Sequence, residues 1–166
     1  MLTAWRIVKT RHAASAFDGE GARVYGGRWT SVGRPAVYTS STVALATLEL
    51  LVHLDATKPL AAYSLFEIGI PEALVVRLDL AALPETWRDF PAPPELRALG
   101  DRWRDARNAA VLEVPSAVTA VELNYLLNPE HPDFRRITIG PRNPYEIDPR
   151  LPSGVTRPPS PRSTRI

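Results

Sequence analysis

One acid stands in the middle of an apolar run. Residues 43–54 contain Val43, Leu45, Ala46, Leu48, Leu50, Leu51, Val52 and Leu54, with Glu49 among them. A helix apolar on nearly every side is expected to be buried all round. A carboxylate inside it is costly unless another group pairs with it or a reaction uses it. Upstream, Arg28 follows Gly26 and Gly27 in a glycine-rich loop, and Tyr38 falls between the arginine and the acid. An arginine presents a planar fork of donors that grips a carboxylate or a phosphate with two hydrogen bonds. Arg28, Tyr38 and Glu49 are therefore the expected working site. On these residues alone two readings stay open. Arg28 and Glu49 form a structural ion pair, or they are an anion-binding and catalytic pair.

The elements that must hold these residues follow from periodicity and punctuation. Thr3 to Lys9 alternates as a strand, interrupted by Arg6. Arg6 is either an outward strand arginine or a phosphate ligand from a sheet edge. Residues 10–34 carry Gly19, Gly21, Gly26, Gly27 and Gly33 and read as a long, flexible binding loop. The loop lacks the G-x-x-x-x-G-K-[ST] pattern of a P-loop. A short strand over Ala36–Thr39 leads to the central helix, for which Ser40 and Ser41 offer N-caps. Ala61–Ile70 and Ala73–Leu80 read as strands parted by Pro71, and Glu85–Asp89 as one possible helical turn. Glu95–Arg107 is a surface helix, amphipathic through Leu96, Leu99 and Trp103. Ala110–Val114 and Ala117–Val121 read as strands on either side of Pro115-Ser116, Asn124–Pro132 as turns, and Arg136–Gly140 as the last strand. Short strands with two inserted helices predict a single α+β domain over residues 1–150, its mixed or antiparallel sheet enclosing a buried central helix. Residues 151–166, rich in proline and arginine, read as a flexible tail.

Composition narrows the classes. Of 166 residues, 45% are apolar and 23% charged, the profile of a globular protein. Cysteine is absent, which removes disulfides, thiolate metal sites and a cysteine nucleophile. Neither a signal peptide nor a run of roughly 18 apolar residues is present, so a cytoplasmic protein without a membrane partner is expected. The pI of 9.2 resembles that of a nucleic-acid binder. Yet residues 1–148 hold 16 basic and 18 acidic side chains, so the excess positive charge belongs to the tail. A core without basic excess argues against direct nucleic-acid binding.

Taken together, several short motifs resemble a known family. They are G-x-G-A-R-x-x-G-G-R-W over residues 19–29, V-Y at 37–38, L-E-L-L-V-H at 48–53, V-P-S-A at 114–117 and N-Y-L-L-N-P-E-H-P at 124–132. In this order and spacing they are similar to the RES-domain proteins, toxins of bacterial toxin–antitoxin pairs. The arginine, glutamate and serine of the family's name match Arg28, Glu49 and Ser116. The resemblance implies a fold similar to ADP-ribosyltransferase toxins and NAD as substrate, cleaved at the nicotinamide–ribose bond with no metal required. ADP-ribose then passes to water or phosphate, or to a side chain of a target enzyme. The implied partner is a DNA-binding, Xre-like antitoxin that covers the active site.

The residues suit that chemistry. A ribosyl group passing through an oxocarbenium-like state calls for a carboxylate, here Glu49. Nicotinamide leaves as a neutral molecule from a cationic substrate, so a single acid suffices. Arg28 suits the pyrophosphate or a ribose oxygen, and Tyr38 offers a ring to stack on nicotinamide. Ser116 suits the nicotinamide amide or the ribose. Arg6, preferred over Arg23, is a second phosphate contact, and Asn128, with Asn124 and Tyr125, a wall of the pocket. Each has a plainer alternative: Tyr38 as core, Ser116 and the asparagines as turn residues, and His53, four residues from Glu49, as packing. The position two before Glu49 is Thr47, not a second acid, which favours a small acceptor over a protein. A non-enzymatic module is the alternative from another class.

Overall fold

The computed structural model describes residues 1–54, 61–148, 150 and 151. The tail expected from residue 151 lies, beyond Leu151, outside these. The frame is one α+β domain. Its eight described strands are β1 (Leu2–Lys9), β2 (Val37–Ser40), β3 (Tyr63–Ile70), β4 (Val75–Arg77), β5 (Val111–Pro115), β6 (Leu123–Leu127), β7 (Thr138–Ile139) and β8 (Asn143–Tyr145). They form one mixed sheet in the order β4-β5-β6-β2-β1-β3-β7, with β8 also on β3. β1 and β3 pair antiparallel along their full length, from Leu2↔Ile70 to Lys9↔Tyr63. β2 joins the halves, pairing with β1 at Trp5↔Ser40 and with β6 from Val37↔Leu127 to Ser40↔Asn124. Only β4 and β5 run parallel among the described pairs.

Strand alternation sorts side chains onto two faces. One face carries Ala4, Phe66, Ile68, Val111, Tyr125 and Leu127. The other carries Leu112, Val114 and Leu126, packed with Trp29, Leu96 and Trp103. Two helices lie on this second face. The first is α2 (Val43–Leu51), following the short α1 (Glu20–Tyr25); the second is α3 (Pro94–Ala106). In α3, Leu96, Gly100 and Trp103 are buried at spacings of four and three, as expected for one face of a helix. Tyr145 reaches α2 through its hydroxyl, which shares a hydrogen bond of 2.5 Å with Thr47 Oγ1.

Four expectations are corrected. α2 is not buried all round: Leu45, Ala46 and Thr47 face the sheet, while Leu48 and Val52 are exposed. Its N-cap is Thr42, not Ser40 or Ser41; Thr42 Oγ1 accepts from Leu45 N at 3.0 Å. Ser40 is still paired in β2, so its backbone is not available to open a helix. Residues 10–34 are ordered rather than a free loop. They form a 3-10 helix over Thr10–Ser15 and then α1, which Gly19 and Gly26 bracket with φ of 75° and 68°. Ala117–Val121 is a turn, not a strand: Ser116 Oγ accepts from Val118 N and Thr119 N, and Ala120 has φ 65°. The strand begins two residues later, at Leu123.

The loop bearing Arg28 is pressed onto α3. A Cβ at Gly100 would stand 1.8 Å from Trp29 O. Gly→Ala inside a helix ordinarily stabilises by about 1 kcal/mol. Here the sign reverses. Gly100→Ala is expected to destabilise by about 1–3 kcal/mol, the range of an overpacked core. A thermal melt several degrees below the parent checks this; an unchanged or raised midpoint contradicts it. Among the described residues no helix is long and apolar enough to cross a membrane.

Candidate functional site

Glu49 lies on the edge of α2 that faces the end of β5 and the start of β6. Its Oε1 accepts two hydrogen bonds, from Ser116 Oγ at 2.8 Å and from Asn124 Nδ2 at 2.6 Å. Ser116 is fully buried, at the point where β5 ends and the 117–120 turn begins. It donates its one proton to Glu49 and accepts from two backbone N–H groups, so its hydroxyl is fixed in direction. Asn124, paired in β6 with Val114 and Ser40, shares the face of Leu126. Its Oδ1 is buried without a partner among the described residues. The carboxylate is thus half-buried and held by neutral donors. No cation lies within ion-pair distance of it among the described residues, so the proposed Arg28–Glu49 ion pair is not formed.

Arg28 is half-buried, and its hydrogen bonds go to main-chain carbonyls of segment 84–90. Nη1 donates to Trp87 O at 2.7 Å, and Nη1 and Nη2 share Asp89 O at 3.2 Å. Asp89 O bridges the two terminal nitrogens, and Trp87 O takes a further Nη1–H. The side edge, formed by Nε–H and the outer Nη2–H, has no acceptor among the described residues. That edge is a planar pair of donors suited to two oxygens of one anion. Burial pushes the Arg28 guanidinium down from its ordinary value, and the negative charge of Glu49 is the largest influence pulling it back.

Tyr38, on β2, faces the same side as Leu126. Its hydroxyl shares a hydrogen bond of 3.0 Å with Thr30 Oγ1 and accepts from Trp29 N at 3.2 Å. Burial raises its pKa, so the phenol stays protonated. A Cβ at Gly27 would stand 2.3 Å from the Tyr38 hydroxyl. Only glycine lets the loop lie this close to the ring, and this contact sets where Arg28 starts.

Two expected ligands lie away from this cluster. Arg6 shares the opposite face of the sheet with Ala4 and Phe66. Its Nε donates to Ala16 O at 2.7 Å and its Nη1 to Tyr38 O at 2.6 Å. It is a tie between the 10–18 segment and β2, with a pKa pushed down to about 10 by burial against the opposing charge of Asp18. Asn128 is buried beyond the far end of β6, roughly 13 Å along the strand from Asn124 at ~3.3 Å per residue. Its Oδ1 accepts from Glu130 N at 3.1 Å, the turn role that asparagine often fills. Arg23 is paired on the surface with Glu20, and His53 is exposed.

A cleft of about 560 Å³ opens elsewhere, lined by Thr10, Ser64, Arg142, Tyr145 and Glu146 among others. It includes none of Arg28, Tyr38, Glu49 or Ser116. Glu49, held by Ser116 and by Asn124 on the sheet face that also carries Tyr38, makes the candidate site rather than this cleft.

The RES domain family matches residues 3–148. A protein of Yersinia enterocolitica named Toxin Res is 38% identical over 149 residues, covering 89% of this chain and 97% of its own. A Sphingobium protein named Prs ADP-ribosylating toxin is 37% identical over 153 residues, covering 89% and 94%. Among solved structures, a chain of the M. tuberculosis MbcT–MbcA toxin–antitoxin complex superposes with a TM-score of 0.73, covering 87% of this chain and 84% of its own at 19% identity. A family match over residues 3–148, with relatives 37–38% identical along nearly their whole length, identifies the protein as a member of the RES-domain toxin family.

Proposed function

We propose that this toxin cleaves NAD at the nicotinamide–ribose bond and passes ADP-ribose to water or phosphate. The observation that carries the reading is a carboxylate fixed by two neutral donors, in a domain where the Nε–H of Arg28 has no acceptor among the described residues. The bond breaks with its electron pair going to the pyridinium nitrogen, so nicotinamide leaves neutral and the ribosyl carbon is left cationic. Glu49 stabilises that cation and accepts from a ribose hydroxyl through its remaining oxygen. Arg28 holds the pyrophosphate by its side edge. Tyr38 forms the wall for nicotinamide with its ring and holds the Arg28 loop with its hydroxyl. Water or phosphate adds to the cation, and water loses a proton to solvent.

The name of the Sphingobium relative favours a second reading, transfer of ADP-ribose to a protein. The two differ only in the acceptor. Mass spectrometry of NAD incubated with the protein in phosphate, in phosphate-free buffer and with cell extract separates them. Free or phosphorylated ADP-ribose supports the first reading, and an extract protein heavier by one ADP-ribose replaces it with the second. The solved toxin–antitoxin neighbour supports a further part of the proposal. An antitoxin, of the DNA-binding Xre-like type, covers the Glu49 site and stops NAD turnover while bound.

A further inference from the structure

Segment 84–90 holds two arginine contacts that run in opposite directions. Arg28 reaches into the segment's main chain at Trp87 O and Asp89 O. Arg88, between those two residues, reaches out. Its Nε donates to Ala117 O at 3.0 Å and its Nη2 to Val118 O at 3.3 Å. Those carbonyls belong to the turn whose Val118 and Thr119 N–H groups are bonded to Ser116 Oγ. Ser116 in turn orients Glu49. A continuous path of hydrogen bonds therefore runs from the Arg28 guanidinium, through residues 87–89 and the Arg88 fork, to the Glu49 carboxylate. Arg28 and Glu49 make no direct contact, so their separation rests on this path and on the sheet beneath.

We propose that Arg88 is a positioning residue for the reaction, fixing the spacing and angle between the anion-holding Arg28 and the carboxylate of Glu49. This rests on the NAD reading above. A substrate that is gripped at its pyrophosphate and reacts at its ribose needs both groups at one separation. A misplacement of about 1 Å in such a pair costs on the order of 10²-fold in rate. Arg88 is exposed and touches only surface carbonyls, so its removal should move the fold's stability little. Lysine at this position keeps the charge but cannot hold two carbonyls as a planar fork.

The test uses the full chain, with Arg88→Ala and Arg88→Lys measured for NAD turnover, melting temperature and backbone amide exchange at Val118 and Thr119. For Arg88→Ala we expect kcat/KM at least about tenfold lower, with most of the loss in kcat. Amide exchange at Val118 and Thr119 should be faster, and the melting temperature should stay within about 2 °C of the parent. Arg88→Lys should recover less than half of the loss on a logarithmic scale. Unchanged kcat/KM overturns the proposal, as does a loss that tracks a fall in melting temperature. Full recovery by lysine also overturns it, because charge alone would then be sufficient. If the parent protein consumes no NAD under any of the acceptor conditions, the NAD reading fails by itself. Amide exchange then decides the remaining point. Faster exchange in Arg88→Ala keeps Arg88 as the residue that fixes the Ser116–Glu49 arrangement, and unchanged exchange removes it.

Discussion

Glu49→Gln should lose NAD turnover by on the order of 10²–10³-fold, the cost of removing one preorganised group aimed at developing charge, while remaining folded. The structural reason for the second half is specific. Glu49 accepts from Ser116 and Asn124 and is not paired with a cation among the described residues. A glutamine oxygen can accept the same two hydrogen bonds, so what is lost is the charge assistance, worth about 1 kcal/mol or less. Were Glu49 half of a buried ion pair, the same change would strand an arginine at a cost of roughly 3–5 kcal/mol. Glu49→Ala provides the contrast. It leaves the Ser116 hydroxyl and the Asn124 amide without their acceptor, and each orphaned group costs about 1–3 kcal/mol. A chemical denaturation series alongside a turnover assay checks both variants. A Gln variant as unstable as the Ala variant, or one that turns over NAD at the parental rate, contradicts this account.

Arg28→Ala should weaken binding of a non-cleavable NAD analogue by about 30–100-fold, as loss of a two-point, charge-assisted contact worth about 2–3 kcal/mol implies. Arg28→Lys keeps the charge but must choose between the carbonyls of Trp87 and Asp89 and the ligand. It should lose about tenfold. Arg28→Ala also frees the 84–90 segment from the Arg28 loop, so its kcat should fall as well as its affinity. The fold tolerates the change because the vacated Asp89 carbonyl lies at the surface and the Trp87 carbonyl is only part-buried, so water can replace the lost donor. Calorimetric titration gives the affinities directly. Undiminished affinity in Arg28→Ala would remove Arg28 from the phosphate site; Arg6, the other expected candidate, is committed to Ala16 O and Tyr38 O.

The parts of the fold that were legible from sequence are those whose pattern had length. β1, β3, α3 and β5 each carry enough alternation or helical period to be read within a residue or two of their observed limits. The 3-10 helix and α1 each span six residues, too short for a 3.6-residue period to stand out, and so read as loop. Ala117–Val121 alternates like a strand, but a side chain just before it, Ser116, folds its backbone into a turn. Apolar composition misled at α2. Leucine and valine on the solvent side made the helix look buried all round, although one face suffices to hold it on the sheet. At the site, the glutamate, arginine, tyrosine and serine stood out by type. Asn124 was weighed as a wall residue, with nothing to signal that its amide would meet Glu49 across 75 positions of sequence. The acceptors of Arg28 and Arg88 are backbone carbonyls, which every residue has, so no pattern of residue types could announce them. Arg6 and Asn128 show the converse: polar residues of suitable type that the fold spends on its own backbone.

The central claim is that the oriented carboxylate of Glu49 drives cleavage of the nicotinamide–ribose bond. The most direct measurement is proton NMR of NAD incubated with the purified protein, following free nicotinamide as it is released. The parent protein is expected to release one nicotinamide for each NAD consumed, and Glu49→Gln to slow release by on the order of 10²–10³-fold at matched folded concentration. NAD that remains intact with the parent protein in buffer, in phosphate and with cell extract would contradict it, as would equal release by the two proteins.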